Sequence, residues 1–238
     1  MVSLEIKLHE AIQQGSVQGV QELILQGTDI NAKNEMDETP LYVALKLDMV
    51  SIVDILLQHG ADVNCQKPTA LETPLHLAAG RGLEMVKVLI SKGAKIEAKD
   101  LHGRTPFWCA ALYGQYFNLE ILYRNGANAE VQDHNGETPL MMAVMYACDK
   151  TVEVLIQMGV KLDTRDRQGQ TAMHMATMYA MYASKLGKLV RYGASLKIRN
   201  QNGMTPLEFA LKKNAYKKRH PIKVLCYSAG ITDWLIGF

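Results

Sequence analysis

Seven histidines and four cysteines are the side chains of this 238-residue sequence best suited to bind a metal or act as base and nucleophile. Their spacing argues against both uses. Cys65, Cys109, Cys148 and Cys226 lie far apart, and no two share a CxxC. Disulfide frameworks and zinc sites need closer, patterned spacing, so the thiols are expected to be reduced and metal-free, in the cytoplasm or also the nucleus. The sequence contains no HExxH, no GxSxG and no phosphate-cradling GxxxxGK[ST]. Gly80-Arg81-Gly82 reads as a glycine pair in a short loop, and the carboxylates are thinly spread. No catalysis and no cofactor are expected. What does recur is a contact chemistry. Tyr113, Tyr146 and Tyr179 follow one another at intervals of 33 residues, each preceded by a long apolar side chain, Leu112, Met145 or Met178.

The elements that must carry these residues repeat with the same period. The phrase Thr-Pro-Leu opens at Thr39, Thr73, Thr105, Thr138, Thr171 and Thr205, with small variations. Successive intervals are 34, 32, 33, 33 and 34 residues. About 21 residues after each comes a second phrase, as in Gly60-Ala61-Asp62-Val63-Asn64, Gly93-Ala94-Lys95-Ile96-Glu97 and Gly126-Ala127-Asn128-Ala129-Glu130. A threonine caps a helix by accepting from free backbone N–H groups, and a proline costs nothing at the first helical position. Small residues such as Ala78 and Ala79 let two helices pack closely, and a glycine such as Gly60 ends the second one. Polar stretches such as Ala98 to Gly103 have the turn chemistry of a hairpin between units.

Thr73-Pro74-Leu75-His76-Leu77-Ala78-Ala79, together with the period, resembles the ankyrin repeat signature. The resemblance implies an all-α repeat solenoid, a stack of helix–turn–helix units with β-hairpin loops. It covers nearly the whole chain as a single domain of seven repeats, at 4–36, 37–70, 71–102, 103–135, 136–168, 169–202 and 203–234. The first lacks Thr-Pro and reads as an N-terminal cap. The hairpin before Thr73 holds an extra residue around Pro68, and a longer insertion runs from Lys212 to Pro221. Asn118 falls where a buried aliphatic residue is usual, so it should need a hydrogen-bond partner. His76 and His174 occupy the family's structural histidine position, where the resemblance implies bonds to neighbouring backbone.

In such a stack, two positions at the end of each first helix face a concave groove. Down the chain these are Lys46-Leu47, Gly80-Arg81, Leu112-Tyr113, Met145-Tyr146, Met178-Tyr179 and Lys212-Lys213. Helix layers roughly 8–10 Å apart put the tyrosine ladder over about 20 Å, the length of about six extended residues. Tyrosine joins a large apolar face to one hydroxyl, and methionine adapts to irregular partners. Trp108 and Met141 replace the usual histidine and are expected to widen the apolar strip. Arg81 stands at one end of it, Lys212 and Lys213 at the other. Hairpin-tip residues Leu101, His102, Arg104, His134, Asn135, Glu137, Arg167, Gln168 and Gln170 would add selectivity. The competing reading folds the tyrosines down as packing.

These residues point to a protein-interaction module or adaptor that grips a protein or peptide partner in the groove of repeats four to six. With 48% hydrophobic residues, 21% charged residues and a net charge of +2, the composition is that of a folded globular chain. The charge shows no continuous basic stripe for nucleic acid. No apolar run approaches the roughly 18 residues that span a bilayer, and the start Met1 to His9 lacks the apolar core of a signal peptide. A monomer is expected. Two rival functions remain. Ile222 to Gly230 faintly resembles the start of the box by which ankyrin–SOCS-box proteins join ubiquitin ligases, although Ile222 stands where leucine is usual. Inhibition of a DNA-binding factor is the other, without a phosphodegron-like Asp-Ser-Gly to support it. The basic run Lys212 to His220 fits a solvated loop, a nuclear-import signal or a contact for an acidic partner.

Overall fold

The computed structural model describes residues 3–178 and 183–212. Those residues form an all-α repeat stack, built from pairs of short antiparallel helices. The chain divides into two compact units, residues 1–110 with 117–127, and residues 111–116 with 128–238. In the first unit the pairs are α1 (Leu4–Gln13) with α2 (Val17–Leu25), α3 (Pro40–Lys46) with α4 (Val50–Gln58), and α5 (Pro74–Ala79) with α6 (Leu83–Ser91). The inner helices pack in a row, α1 on α3 and α3 on α5, with a parallel outer row of α2, α4 and α6. Helices α7 (Pro106–Leu112) and α8 (Tyr116–Arg124) follow. In the second unit α9 (Pro139–Tyr146) pairs with α10 (Asp149–Gln157), and α11 (Ala172–Ala176) with α12 (Ala183–Arg191). Helix α11 lies between α9 and α13 (Pro206–Lys212).

Thr39, Thr105, Thr138 and Thr205 of the Thr-Pro phrase start their inner helices by a local bond. Thr39 Oγ1 accepts from the Tyr42 N–H at 3.3 Å, and Thr138 Oγ1 from the Met141 N–H at 3.3 Å. Apolar residues behind the caps build the core. Leu41, Leu75, Phe107, Leu119, Leu155 and Leu189 are all buried. Burial of one such side chain stabilises the fold by roughly 1.5–3 kcal/mol.

The loops between pairs are held by side chains more than by strands. Asp100 Oδ1 accepts from the N–H groups of His102 and Arg104, at 2.8 and 2.9 Å. Asp133 repeats the arrangement with Asn135 and Glu137, and Asp166 with Gln168 and Gln170. Neighbouring tips join through single backbone bonds, Arg167 N–H to Asn135 O at 2.8 Å and Gln201 N–H to Gln168 O at 2.9 Å. The expected β-hairpins therefore appear as tight turns. Among the described residues the isolated bridge is Lys67 with Glu72. It closes the loop with the extra residue, where Leu71 adopts φ 53°. Gly136 shows why its turn needs glycine: φ is 79°, and a Cβ there would lie 2.9 Å from the Arg167 nitrogen.

Asn118 meets part of the need its position implied, because its Nδ2 is bonded while its buried Oδ1 has no hydrogen-bond partner. It is buried, and its Nδ2 donates to the Ala79 carbonyl at 2.9 Å, closing the end of α5. The third residue of two later outer helices acts alike. Thr151 Oγ1 donates to Gly114 O at 3.1 Å, and Lys185 Nζ to Val144 O at 2.8 Å. The last carbonyls of a helix have no partner within it, and here a polar side chain from the next pair satisfies one of them. Among the described residues no helix is long and apolar enough to cross a membrane.

Candidate functional site

The inner helices end in the residues singled out for contact. Tyr113 follows α7 and Tyr146 ends α9, and they are 63% and 65% exposed. Such exposure rules out both rings as ordinary core. Leu112, Met145 and Met178 beside them are half-buried. Tyr179 and Lys213 lie outside the described residues.

Below these positions the second unit forms a groove of about 700 Å³. Its floor is soft and apolar, with Met145, Met175, Met178, Met204 and Phe209. Its rim carries Asn135, Glu137, Asp166, Arg167, Gln168, Gln170, Asn202 and Lys212. Of the residues expected to contact a partner, Asn135, Glu137, Met145, Arg167, Gln168, Gln170, Met178 and Lys212 line it. Met175, Met204, Phe209 and Asp166 were not singled out by sequence. Met175 and Phe209 read as ordinary helical core positions and are largely buried, yet both line this groove. Burial raises the carboxyls of Glu137 and Asp166 above the usual range, and nearby Asp133 adds to both shifts. The rim thus mixes amides, two cations and two carboxylates over a methionine floor. It can hydrogen-bond an extended backbone while the floor adapts to an apolar side chain.

Other expected contact residues have structural work. Trp108 and Met141 do not widen an apolar strip, because they are only 3% and 1% exposed. They stand three residues after Thr105 and Thr138, where α5 and α11 have histidine. A side chain there points back over the preceding turn and into the stack. Met141 Sδ even receives the Thr138 N–H, at 3.5 Å. The Arg104 guanidinium stacks 5.3 Å from the Trp108 ring and donates to Asp100 Oδ2 at 2.7 Å. Arg81 donates to the Lys46 carbonyl at 2.7 Å, closing the end of α3. Leu101 (52% exposed), His102 and His134 project from the turns into solvent.

His76 and His174 are interior struts. The His76 Nε2–H donates to Arg104 O at 2.9 Å, while Nδ1 accepts the Thr73 N–H at 3.2 Å. His174 does the same with Met204 O at 3.0 Å and Thr171 at 3.2 Å. Burial holds both below the ordinary histidine pKa. Cys65, Cys109 and Cys148 are free thiols, and burial pushes Cys109 up to about 12. Among the described residues no group of three or more His, Cys, Asp or Glu side chains is placed to hold a metal ion.

Stacked helix pairs with an adaptable groove and tips of varied chemistry define a protein-interaction module. A family model described as Ankyrin repeats (3 copies) matches residues 8–100, 72–133 and 107–183, and the chain belongs to that family. Among curated relatives it is 36% identical over 100 residues to cyclin-dependent kinase 4 inhibitor B of Rattus norvegicus, covering 42% of this chain and 76% of that one. It is 36% identical over 105 residues to the B-cell lymphoma 3 protein homolog of Mus musculus, covering 43% of this chain and 23% of that one. The crystal structure of the ankyrin repeat domain of Bcl-3, a member of the IkappaB protein family, superposes with a TM-score of 0.75 at 26% identity. That superposition covers 92% of this chain and 97% of the other.

Proposed function

We propose that this protein is a non-catalytic adaptor or inhibitor that holds a segment of a partner protein in the groove of its second unit, centred on the repeats placed fourth to sixth by sequence and reaching Met204, Phe209 and Lys212 in the seventh. The supporting observation is the convergence of Asn135, Met145, Arg167, Met178 and Lys212 on one methionine-floored groove. Tyr113 and Tyr146, exposed at the ends of α7 and α9, supply aromatic contact, with Tyr179 in the same register. Leu112 supports Tyr113, and the tips at Leu101, His102, Arg104 and His134 tune selectivity. The chain acts as a monomer in the cytoplasm or nucleus.

The test is an affinity capture with the intact chain, comparing wild type with the Tyr113→Ala, Tyr146→Ala, Tyr179→Ala triple variant after circular dichroism shows both folded. Each tyrosine that anchors the partner should be worth roughly 1–2 kcal/mol, so the captured partner should be lost from the triple variant. Equal capture by both proteins sinks the reading.

The similarity to a cyclin-dependent kinase inhibitor favours a second, more specific form of the same reading, in which binding inhibits the partner. A cyclin-dependent kinase assay and a DNA-binding assay, each with the chain added, separate a kinase target from a DNA-binding factor. Membership of a ubiquitin ligase rests on Ile222 to Gly230, outside the described residues; capture of elongin or cullin subunits tests it.

A further inference from the structure

The first two helix pairs expose apolar side chains on one side. Ile6 on α1, Met36 in the turn before α3 and Leu47 just after α3 are 53%, 66% and 43% exposed. All three line one groove of about 710 Å³ within the first unit. Scattered apolar side chains are normal on a surface, but several sharing one concavity mark an interaction site.

The charge around this groove is one-sided. Glu5, Glu10, Glu35 and Glu38 line it, against Lys33 and Lys46. Glu38 is already held by Lys46 at 3.2 Å and Lys67 at 2.8 Å. That leaves three carboxylates facing Lys33. Among the described residues, none of the three forms an ion pair.

A third feature sits in the same lining. His9 is 6% exposed, and its Nε2–H donates to the Ala32 carbonyl at 2.9 Å. In the neutral ring Nδ1 then carries the lone pair, and it has no hydrogen-bond partner. At His76 the equivalent nitrogen receives the N–H of Thr73, whereas Ile6 stands three residues before His9. A buried acceptor without a donor is a rare and costly feature. An arriving N–H group, or one water trapped beneath it, would satisfy it.

We propose that this groove is a second docking surface, and that its occupant is a segment of a partner protein carrying an aliphatic or aromatic side chain flanked by Lys or Arg. The apolar side chain covers Ile6, Met36 and Leu47. The flanking cations neutralise Glu10 and Glu35 and are repelled least by the single free lysine. The surface lies in residues 3–47 and shares no residue with the groove of the second unit, so either assignment can fail without the other.

The test is selection of random peptides of about 12 residues, displayed on phage, against the intact chain. Clones that also bind an Ile6→Ser, Met36→Ser variant are removed. All substituted side chains are exposed, so circular dichroism should be unchanged. The remaining peptides should be rich in Leu or Phe flanked by Lys or Arg. Synthesised and labelled, they should bind wild type about tenfold more tightly than the Ser variant or a Glu10→Lys, Glu35→Lys variant. Binding should weaken as salt rises from about 0.05 to 0.5 M. Peptides that are acidic, or that ignore both variants, overturn the proposal. So does sedimentation showing a wild-type dimer that the Ser variant abolishes, because the occupant would then be a second copy of this chain.

Discussion

Helices α1 and α5 place a histidine at the same point of an inner helix, His9 and His76, yet the two rings are used differently. Each Nε2–H crosses to a carbonyl of the following turn, Ala32 or Arg104, at 2.9 Å. Only His76 has its other nitrogen occupied, by the N–H of Thr73 at 3.2 Å, with the Thr73 hydroxyl at 2.8 Å. The cause lies three residues upstream. Helix α5 begins at Thr73-Pro74, whereas α1 is capped at Ser3 and runs as unbroken helix through Ile6 and Lys7. The Thr-Pro phrase thus performs two tasks, starting the helix and fixing the ring. Where it is missing, the helix still forms from another cap, but the ring is half-held. Other inner helices fill this position differently. Met141 offers sulfur to the Thr138 N–H, and Glu208 offers a carboxylate oxygen to the Thr205 N–H at 2.8 Å.

The largest effect expected from this difference is on stability. His76→Ala should cost roughly 2–4 kcal/mol, since it empties a buried site and strands several polar groups. His9→Ala also empties a buried site but should cost less, roughly 1–2 kcal/mol, because its ring has one bond to lose. Urea unfolding of both variants checks this, and equal losses would break the contrast. A smaller effect should appear with acid. His76 and His174 lie below the ordinary value of 6.5 because they are buried. Below that pH the unfolded chain takes up protons that the folded chain refuses, so stability falls. The fall between about pH 7 and 5 should be shallower in a His76→Gln, His174→Gln variant; parallel curves would deny these rings a part in it.

The smallest effect belongs to the outer helices. Ile52 and Met85 are apolar at the third position of α4 and α6, where α12 has Lys185. Burial lowers the Lys185 pKa, against the pull of Asp149 and Cys148. The unfolded chain therefore holds the extra proton between that lowered value and the ordinary 10.5, and stability contributed by this group rises with pH across the window. In Lys185→Met the alkaline rise should disappear. A rise of equal slope in the variant would assign it to other groups.

Much of this architecture could be read from local pattern. Thr39, Thr138 and their partners cap helices where the Thr-Pro spacing put them, because capping involves residues three apart. Asn118 announced a buried hydrogen bond because amide polarity at an aliphatic position must be compensated. The exposure of Tyr113 and Tyr146 could not be read, since an aromatic ring at a helix end packs or projects according to what lies beside it. Trp108 and Met141 fit a contact strip by sequence and lie inside. Their chemical type fits either place, and only the direction of the side chain distinguishes them.

Periodicity and capping chemistry are local properties, so the order of residues alone dictated the helix pairs, their approximate ends and their stacking into a repeat array. Grooves are made by residues that are distant in the chain. Tertiary packing decided that Met145, Met175 and Phe209 share one floor, that Ile6, Met36 and Leu47 share another concavity, and that His9 Nδ1 meets no donor. The physical reason is that accessibility depends on neighbours from other turns of the stack, and no single repeat contains enough of them to specify it.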